Sequence, residues 1–336
     1  MKYAMLVPAA GRAIRAMEYT GYGATPKPFV TVGGKTVFGL IMEEARAAGI
    51  QHVGMIVSNE EAQELYGRFF DPFADKPDIL AAIAKKTPAV LEALEELKEF
   101  DLHFYFQREP LGFGHAVGKG TPILEEDSFD GCLVALGDDL VAGGPPAMAQ
   151  LIDVHQKTGG MIVMVDEVTR EEAKSFGVAQ VAAPMSLESK ARVAFPVTEV
   201  VEKPADPQAN LIDGEERYFA IVGRYLLEAE DLEFLAAQNP TPGKELDFTP
   251  LFERNIAKGR LTAVLPNGEF LTVGNAFEQQ KAGLRMALEG FVQRGETDLL
   301  SFALQSLQRI GVLEEEGEGV RLKPELAGLV RGGEKN

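Results

Sequence analysis

The first residues with chemical potential are small ones that follow an apolar stretch near the start of the chain. Residues 5–8 predict a strand, and they lead directly into Ala9, Ala10 and Gly11. Small residues at the carboxyl end of a strand let a ligand approach the backbone and offer amide groups to phosphate. The stretch lacks both common glycine-rich phosphate fingerprints. We interpret it as a nucleotide site by position, with a tight strand-to-helix turn as the alternative.

Two charged residues could complete a phosphate site. Lys27 lies between Pro26 and Pro28, and these rigid residues would hold its ammonium group towards the phosphates. Asp138 follows an apolar stretch at 132–136, and a carboxylate at a strand end beside phosphate is a usual ligand of Mg²⁺. The alternatives are a solvated surface lysine and an aspartate that forms a turn or caps a helix.

A second group of polar residues could recognise a base and a sugar. Gln107 and Gly112 follow an apolar stretch, where a glutamine can pair with a base and a glycine lets the base lie against the main chain. His115 could be functional or simply packed. Glu202 and Lys203 end an alternating stretch, and on an extended chain they point in opposite directions, towards sugar hydroxyl groups and phosphate respectively. A salt bridge on an edge strand is the alternative.

Short apolar stretches alternate with amphipathic ones, a pattern that predicts an α/β fold with helices on both faces of a largely parallel sheet. The first helix is predicted over 37–48, and two further helices over 79–97 break at Pro88. From Phe277 onward the spacing of apolar residues predicts helices. Strands are predicted at 5–8, 52–57, 102–107, 132–136 and 161–165, and strands that fold over this sheet at 177–182, 193–201 and 218–227.

Composition and charge exclude several classes of protein. The chain of 336 residues is 46% hydrophobic and 25% charged, as in ordinary globular proteins, and has no apolar run long enough to cross a bilayer. Lys plus Arg number 33 against 51 for Asp plus Glu, and the net charge of −18 repels a phosphate backbone. One cysteine, Cys132, and four histidines are too few for a disulfide or a structural zinc site. We expect a cytoplasmic protein without nucleic-acid or membrane partners.

Together, these motifs resemble one family, the sugar-1-phosphate nucleotidyltransferases, and within it the bacterial UTP:glucose-1-phosphate uridylyltransferases. The similarity lies in the order and spacing of motifs over about residues 2–290. The most specific segments are Glu-Pro-Leu-Gly-x-Gly-His-Ala-Val at 109–117 and Ala-Ile-Val-Gly-Arg-Tyr at 220–225. Further shared motifs are Pro-Ala-Ala-Gly at 8–11, Pro-Lys at 26–27, Glu-Glu-Ala at 43–45, Gly-Asp-Asp at 137–139, Val-Glu-Lys-Pro at 201–204 and Val-Gly-Asn at 273–275.

This resemblance implies a Rossmann-like nucleotidyltransferase fold, with a mixed, mostly parallel central sheet flanked by helices and a helical C-terminal extension. It implies a catalytic domain over residues 1–275, with UTP on the first half and the hexose on the second. The extension over 276–336 would carry an interface for a homodimer or higher homo-oligomer. The implied site residues are Arg15, Lys27 and Lys203 as catalytic residues; Ala9, Ala10, Gly11, Gln107, Gly112 and Asp138 for the nucleotide; Gly177, Glu202, Val222 and Gly223 for the sugar; and Asp138 for Mg²⁺.

The implied reaction forms UDP-glucose and pyrophosphate from UTP and glucose-1-phosphate by in-line attack at the α-phosphorus. The sequence departs from the family pattern in three places. Residues 11–15 lack the second glycine and the threonine of the phosphate loop, Thr272 replaces an aspartate that shares the metal, and residues 244–250 are altered. Two alternatives follow: a non-catalytic homologue that binds nucleotide or sugar, and an enzyme for another hexose-1-phosphate or for dTTP.

Overall fold

The computed structural model describes residues 1–11, 18–20, 26–240, 244–295, 297–316 and 319–323. The chain divides into two compact units, one of Met1–Val30 and Lys35–Gln279 and one of Thr31–Gly34 and Gln280–Asn336. The predicted site residue Arg15 lies outside the described residues, and the other predicted site residues belong to the first unit. Among the described helices, none combines the length and the apolar character that crossing a membrane requires.

The described residues form a mixed α/β structure. Two short 3-10 helices cover Lys27–Phe29 and Thr121–Glu125. The α-helices are α1 Val37–Ala47, α2 Glu60–Phe70, α3 Pro77–Lys86, α4 Pro88–Leu97, α5 Phe113–Lys119, α6 Ala147–Thr158, α7 Arg170–Ala173, α8 Ala229–Ala237, α9 Thr249–Ala257, α10 Ala276–Arg294 and α11 Thr297–Arg309. The strands are β1 Tyr3–Pro8, β2 Thr31–Val32, β3 Lys35–Thr36, β4 His52–Val57, β5 Asp101–Phe106, β6 Gly131–Ala135, β7 Asp139–Ala142, β8 Met161–Val168, β9 Gly177–Val181, β10 Val193–Glu202, β11 Asn210–Ile212, β12 Glu215–Leu227, β13 Leu261–Leu265, β14 Glu269–Thr272, β15 Leu313–Glu316 and β16 Gly319–Leu322.

The first half of the central sheet is parallel. Strands β5, β4, β1 and β6 lie side by side in that order, and each neighbouring pair is parallel. Each predicted strand of this half is present: β4 has the predicted ends, and the ends of the others differ by at most two residues. Parallel strands that are covered on both faces are apolar along their whole length, as the buried stretch of β1 shows. Their carboxyl ends bring residues 9–11, 107 and 137–138 to one edge of the sheet.

The second half of the sheet closes on itself. Strands β8, β13, β10, β9 and β12 pair in a ring, because β12 pairs with both β9 and β8. Only β8 and β13 are parallel within this ring. Its apolar side chains belong to the main core, among them Val163, Val165, Ala179, Phe195, Phe219 and Ala263.

Strand β12 links the two halves. It pairs antiparallel with β6 along residues 224–227. The strands predicted at 177–182, 193–201 and 218–227 therefore exist, but the expectation that they fold over the first sheet is wrong. They continue the same sheet, because the 13-residue β12 is long enough to pair with β6 near its end and with β9 near its start. The prediction of a mixed sheet is confirmed, but parallel pairs do not predominate, because β9, β10 and β12 form only antiparallel pairs.

The second unit contains most of α10, then α11 and a hairpin of β15 and β16. The turn at Thr31–Gly34 packs on α10, where a Cβ atom at Gly33 would lie 2.7 Å from Met286 Cβ. The expectation of a purely helical extension is wrong after Gly311, where the chain turns into the hairpin. Large apolar side chains are exposed on both helices, including those of Leu284, Val292 and Phe302.

Candidate active site

Asp138 lies in the short turn between β6 and β7. Its carboxylate forms an ion pair with Lys27, and both side chains are partly buried. Its backbone carbonyl accepts hydrogen bonds from the Val273 amide at 2.8 Å and from Thr272 Oγ1 at 3.3 Å. Because β7 pairs with β14 in a register that sets Thr272 opposite Asp139, the Asp138 turn is clamped between two segments far apart in sequence. The Thr272 hydroxyl also accepts a hydrogen bond from the Gly274 amide, so it serves the backbone of this turn.

The neighbouring carboxylate, Asp139, is held by a bulge in β12. The pairing of β12 with β8 shifts register between Ile221 and Tyr225, and this irregularity turns the Gly223 amide onto Asp139 Oδ2 at 2.9 Å. Burial raises the pKa of Asp139, the nearby Asp138 carboxylate raises it further, and the hydrogen bond from Thr272 opposes the rise. A Cβ atom at Gly223 would lie 2.4 Å from Asp139 Oδ2, so this position requires glycine.

The turn around Asp138 rests on a buried ion pair. Arg224 is 1% exposed and binds the Glu44 carboxylate, with an Nη2 to Oε2 distance of 2.9 Å. The same guanidinium donates to the carbonyl oxygen of Asp139 at 2.9 Å and to that of Leu136 at 3.3 Å. Glu44 also accepts a hydrogen bond from the Met148 amide. Arg224 therefore fixes the backbone on both sides of Asp138.

The segment predicted to read a base forms a tight loop after β5. Gln107 is 5% exposed, and its Nε2 donates to the Gly112 carbonyl at 2.9 Å and contacts His115 Nδ1 at 3.0 Å. Gly112 has a φ of 107°, and a Cβ atom there would lie 2.4 Å from the carbonyl oxygen of Leu246. Backbone hydrogen bonds from Gly114 to Leu246 and from Leu246 to Leu111 fasten the loop to the segment around residue 246. This close approach of two backbones explains why glycine is needed at 112.

An aromatic cluster joins the Gln107 loop to β12. The rings of Phe113 and Phe248 lie 4.4 Å apart, and Tyr225 packs 5.7 Å from Phe113 and 5.1 Å from Phe248 between ring centroids. Tyr225 follows Arg224 directly, so the loop and the Asp138 turn are both braced by neighbouring residues of one strand.

Two of the predicted sugar-binding residues, Gly177 and Glu202, lie where β9 begins and β10 ends, whereas Val222 and Gly223 lie in β12. Gly177 pairs with Glu202 in the antiparallel register, and a Cβ atom at Gly177 would lie 3.0 Å from Glu202 Oε2 and 3.9 Å from Ile221 Cδ1. Glycine therefore leaves space beside a carboxylate that is about half exposed. Because Ile221 lies two residues before Gly223, this corner of the sheet adjoins the Asp139 contact.

The expectation that Glu202 and Lys203 point in opposite directions is wrong. Lys203 leaves the strand with a φ of 45°, and its Nζ lies 3.1 Å from Glu202 Oε1. The alternation of side chains applies only while the backbone stays extended, and a left-handed residue ends it. The two side chains thus form an exposed ion pair, as the alternative interpretation held.

The hydroxyl group of Tyr225 is affected by the carboxylates of both the Asp138 turn and Glu202. Burial raises the pKa of Tyr225, and the carboxylates of Asp139, Glu202 and Asp138 raise it further. The buried Tyr225 hydroxyl therefore interacts electrostatically with both the Asp138 turn and Glu202. Strand β12 carries a residue in contact with each part: Ile221 at Gly177, Gly223 and Arg224 at the Asp138 turn, and Tyr225 at the Gln107 loop.

The remaining predicted site residues are Ala9, Ala10, Gly11 and Val222. The Ala9 amide donates to the Ile56 carbonyl at 2.7 Å, and Ala10 is buried. Gly11 is exposed, and a Cβ atom placed there would meet no atom of the described residues within 4 Å. Val222 is buried within β12. The sequence interpretation gave no role to Glu44 or Arg224, although a lone arginine inside the apolar run of β12 is a signal of a buried ion pair.

The Asp138 turn offers oxygen ligands suited to a divalent cation. The Asp138 carboxylate is partly exposed, so it can meet a ligand, and the nearby Lys27 shows that it attracts positive charge. Small hard cations bind through one or two carboxylates together with substrate phosphates. The donor set therefore fits a divalent cation, with Asp138 as the carboxylate that would hold it.

A family model of nucleotidyl transferases matches residues 73–278. The chain belongs to this nucleotidyl transferase family. A UTP–glucose-1-phosphate uridylyltransferase of Staphylococcus epidermidis is 30% identical over 288 residues, which cover 84% of this chain and 92% of that protein. A protein of the same description from Bacillus subtilis is 29% identical over 327 residues, covering 96% of this chain and 98% of that one. The resemblance found in the sequence is thus confirmed.

The fold agrees with solved structures. A UTP-bound UGPase from Acinetobacter baumannii superimposes with a TM-score of 0.69 at 22% identity, covering 86% of this chain and 94% of that chain. At this identity the similarity establishes the fold alone.

Proposed function

We propose that this protein transfers the uridylyl group of UTP to glucose-1-phosphate, forming UDP-glucose and pyrophosphate. The observation that carries the proposal is the arrangement along β12, where residues 221–225 contact the Gln107 loop, the Asp138 turn and the Gly177 end of β9. A nucleotidyl transfer to a sugar phosphate needs these three parts in contact. The relatives of about 30% identity carry the name of this activity.

The four parallel strands would act as a Rossmann-like platform for the nucleotide. Ala9, Ala10 and Gly11 would present backbone amides to the triphosphate, and Gln107 and Gly112 would receive the uracil. Gln107 is pre-ordered for this task, because its amide nitrogen is already fixed by Gly112 and His115. The ordered loop reduces the conformational entropy that binding must overcome.

The sugar phosphate would bind at the other corner. Glu202 would accept hydrogen bonds from hexose hydroxyl groups in the space that Gly177 leaves, with Val222 and Gly223 at the border. Lys203 is 65% exposed at its side chain, so its ammonium group can exchange Glu202 for a phosphate. The altered residues at 244–250 include Leu246 and Asp247, which lie against Gly112 and Gly114 in the Gln107 loop.

In the reaction, an oxygen of the glucose-1-phosphate forms a bond to the α-phosphorus of UTP. The bond from that phosphorus to its bridging oxygen breaks, and pyrophosphate leaves with the electron pair. Lys27 and Lys203, together with Arg15, would offset the charge of the phosphate groups and align the two substrates. A divalent cation on Asp138, which we propose to be Mg²⁺, would neutralise phosphate oxygens when bound. No nucleophilic side chain is required.

The remaining features of the proposal concern assembly and location. The exposed apolar side chains of α10 and α11 support a homodimer or a higher homo-oligomer formed through the extension. The single cysteine, Cys132, is buried and cannot form an internal disulfide, which supports a reducing cytoplasm.

The direct test combines purified protein, Mg²⁺, UTP and glucose-1-phosphate, follows pyrophosphate release, and identifies the nucleotide sugar by mass. We expect UDP-glucose as the main product, with dTTP and other hexose-1-phosphates used less well. Pyrophosphate with a different sugar or base would identify a shifted substrate. A folded protein that binds UTP but releases no pyrophosphate would refute the enzyme and favour a binding protein.

Two substitutions test the proposed roles of Asp138 and Lys203. We expect Asp138→Asn and Lys203→Ala each to lower kcat by orders of magnitude without unfolding the protein. Lys86→Ala, at an exposed position of α3, is the matched control and should leave the rate unchanged. Near-normal rates in both site variants would contradict the assignment.

A further inference from the structure

A second cluster of metal-binding side chains lies at the opposite edge of the sheet. His52 begins β4 and Asp101 begins β5, and these two residues are register partners in neighbouring parallel strands. His103 lies two residues after Asp101, so it projects from the same face of β5. Composition alone predicted too few soft ligands for zinc, but the register brings two of the four histidines to one carboxylate.

The donor atoms already lie close together. His52 Nδ1 is 2.9 Å from Asp101 Oδ2, and His103 Nε2 is 3.1 Å from Asp101 Oδ1. All three donor atoms lie within 4.8 Å of one another. Ligand atoms around a tetrahedral zinc ion are about 3.3–3.5 Å apart, given bonds of about 2.0–2.2 Å. The two nitrogen–oxygen distances would have to lengthen by only about 0.2–0.6 Å to match those between zinc ligands.

His52 Nδ1 and His103 Nε2 are buried and lie 2.9 and 3.1 Å from the Asp101 carboxylate oxygens, at angles outside good hydrogen-bond geometry. Buried polar atoms with such poorly aligned partners are incompletely satisfied. A cation between these nitrogens and the carboxylate would satisfy both. The side chains of His52 and His103 are still 16% and 21% exposed, so an ion can enter from solvent.

A second carboxylate supports one of the rings. Glu126 Oε1 lies 3.4 Å from His103 Nδ1, the nitrogen that faces away from Asp101. Metal-binding histidines usually donate their other ring N–H to a carboxylate, which fixes the tautomer and the ring orientation. Glu126 stands in the position of such an orienting residue.

We propose that His52, Asp101 and His103 form a binding site for one divalent transition-metal ion of the zinc type, oriented by Glu126. Two imidazoles and a carboxylate favour borderline cations and do not suit Mg²⁺, which takes oxygen ligands. The site is separate from the Asp138 turn, because it lies at the amino ends of β4 and β5 while Asp138 follows the carboxyl end of β6. Strands of six residues set the two edges about 17–20 Å apart. The proposal does not depend on the proposed function.

The test uses untagged protein freed of metal and then titrated with Zn²⁺ in a large excess of Mg²⁺, which occupies oxygen-only sites. Calorimetry should show one Zn²⁺ per chain. The double variant His52→Gln/His103→Gln should bind Zn²⁺ more than about 100-fold more weakly, since even orienting residues change affinity by about 10- to 100-fold. Glu126→Gln should weaken binding by about 10- to 100-fold. Far-UV circular dichroism confirms that each variant is folded.

Two controls distinguish this site from others. Asp138→Asn removes the carboxylate of the proposed active site, and His115→Gln removes an imidazole at the other edge of the sheet; both should leave Zn²⁺ affinity unchanged. Co²⁺ gives an independent readout, because its visible absorption reports nitrogen ligation and should disappear in the double variant. If the wild-type protein binds no Zn²⁺ under excess Mg²⁺, or the double variant binds it as tightly, the proposal is refuted and the cluster is a simple ion-pair network.

Discussion

The buried pair of Arg224 and Glu44 offers the sharpest test of how this site is held. Arg224→Met keeps an unbranched apolar stem but leaves Glu44, which is 11% exposed, without its counter-charge. It also removes the donors that reach the carbonyl groups of Asp139 and Leu136. Breaking a buried ion pair by removal of one partner costs about 3–5 kcal/mol, which is a large fraction of the ordinary stability of about 5–15 kcal/mol.

The measurement is urea unfolding followed by far-UV circular dichroism. We expect Arg224→Met and Glu44→Gln each to lower the free energy of unfolding by about 3–5 kcal/mol. The double variant should cost less than the sum, with a coupling energy of at least about 1 kcal/mol, because the two residues share one interaction. The kcat of both single variants should fall as well, because the backbone on both sides of Asp138 loses its support.

Arg170→Met provides the control. Arg170 pairs with Asp206 at the surface, and its side chain is 61% exposed, so its loss should leave the unfolding midpoint unchanged. A loss of less than about 1 kcal/mol for Arg224→Met, or full additivity in the double variant, would refute the argument that this pair anchors the Asp138 turn.

Three further predictions concern the base loop, pH and the metal. Gly112→Ala should raise the KM for UTP by at least about tenfold, because its Cβ atom would collide with Leu246; Gly67→Ala in α2, where the added methyl meets nothing, is the control in steady-state kinetics. Burial raises the pKa of Asp166 to about 6, so its contribution to stability is present at low pH and is lost as pH rises from about 4 through about 6. In urea unfolding from pH 4 to 8, the free energy of unfolding of Asp166→Asn relative to that of the wild type should therefore increase by up to about 3 kcal/mol above pH 6. A difference that stays constant with pH would show that burial of the Asp166 carboxylate does not cause the effect. Thr272→Asp adds a carboxylate beside Asp138 and should lower the Mg²⁺ concentration for half-maximal rate by about tenfold in a Mg²⁺ titration; an unchanged or higher requirement would show that Thr272 does not face the metal.

Much of the parallel half was predictable from local patterns. Apolar runs gave β1, β4, β5 and β6 because each strand is covered on both faces and its whole length is apolar. The strand ends then placed Gln107 and Asp138 at one edge without any knowledge of tertiary contacts. The helix at 37–48 was confirmed as α1, which ends at Ala47.

The second half depended on contacts that local patterns do not encode. The ring of strands closes because β12 pairs with both β8 and β9. Gly223 marks the register shift between Ile221 and Tyr225, but a glycine does not specify which strands pair on either side of it. The β7–β14 pair joins four-residue strands more than a hundred positions apart. Glu44 and Arg224 are separated by 180 positions, so their pairing is a product of the fold. Lys203 shows the limit of the alternation rule, since a single left-handed residue reversed the expected direction of its side chain.

The backbone of Lys203 has a consequence for how this position can vary. A lysine with φ of 45° carries a conformational penalty of about 1–2 kcal/mol that glycine avoids. Lys203→Gly should therefore make the protein harder to unfold, while it removes the ammonium group proposed to meet the sugar phosphate. Selection for thermal tolerance would therefore favour glycine at position 203, whereas selection for turnover would favour lysine. A library screened only for heat resistance should discard this lysine, and one screened for product should keep it.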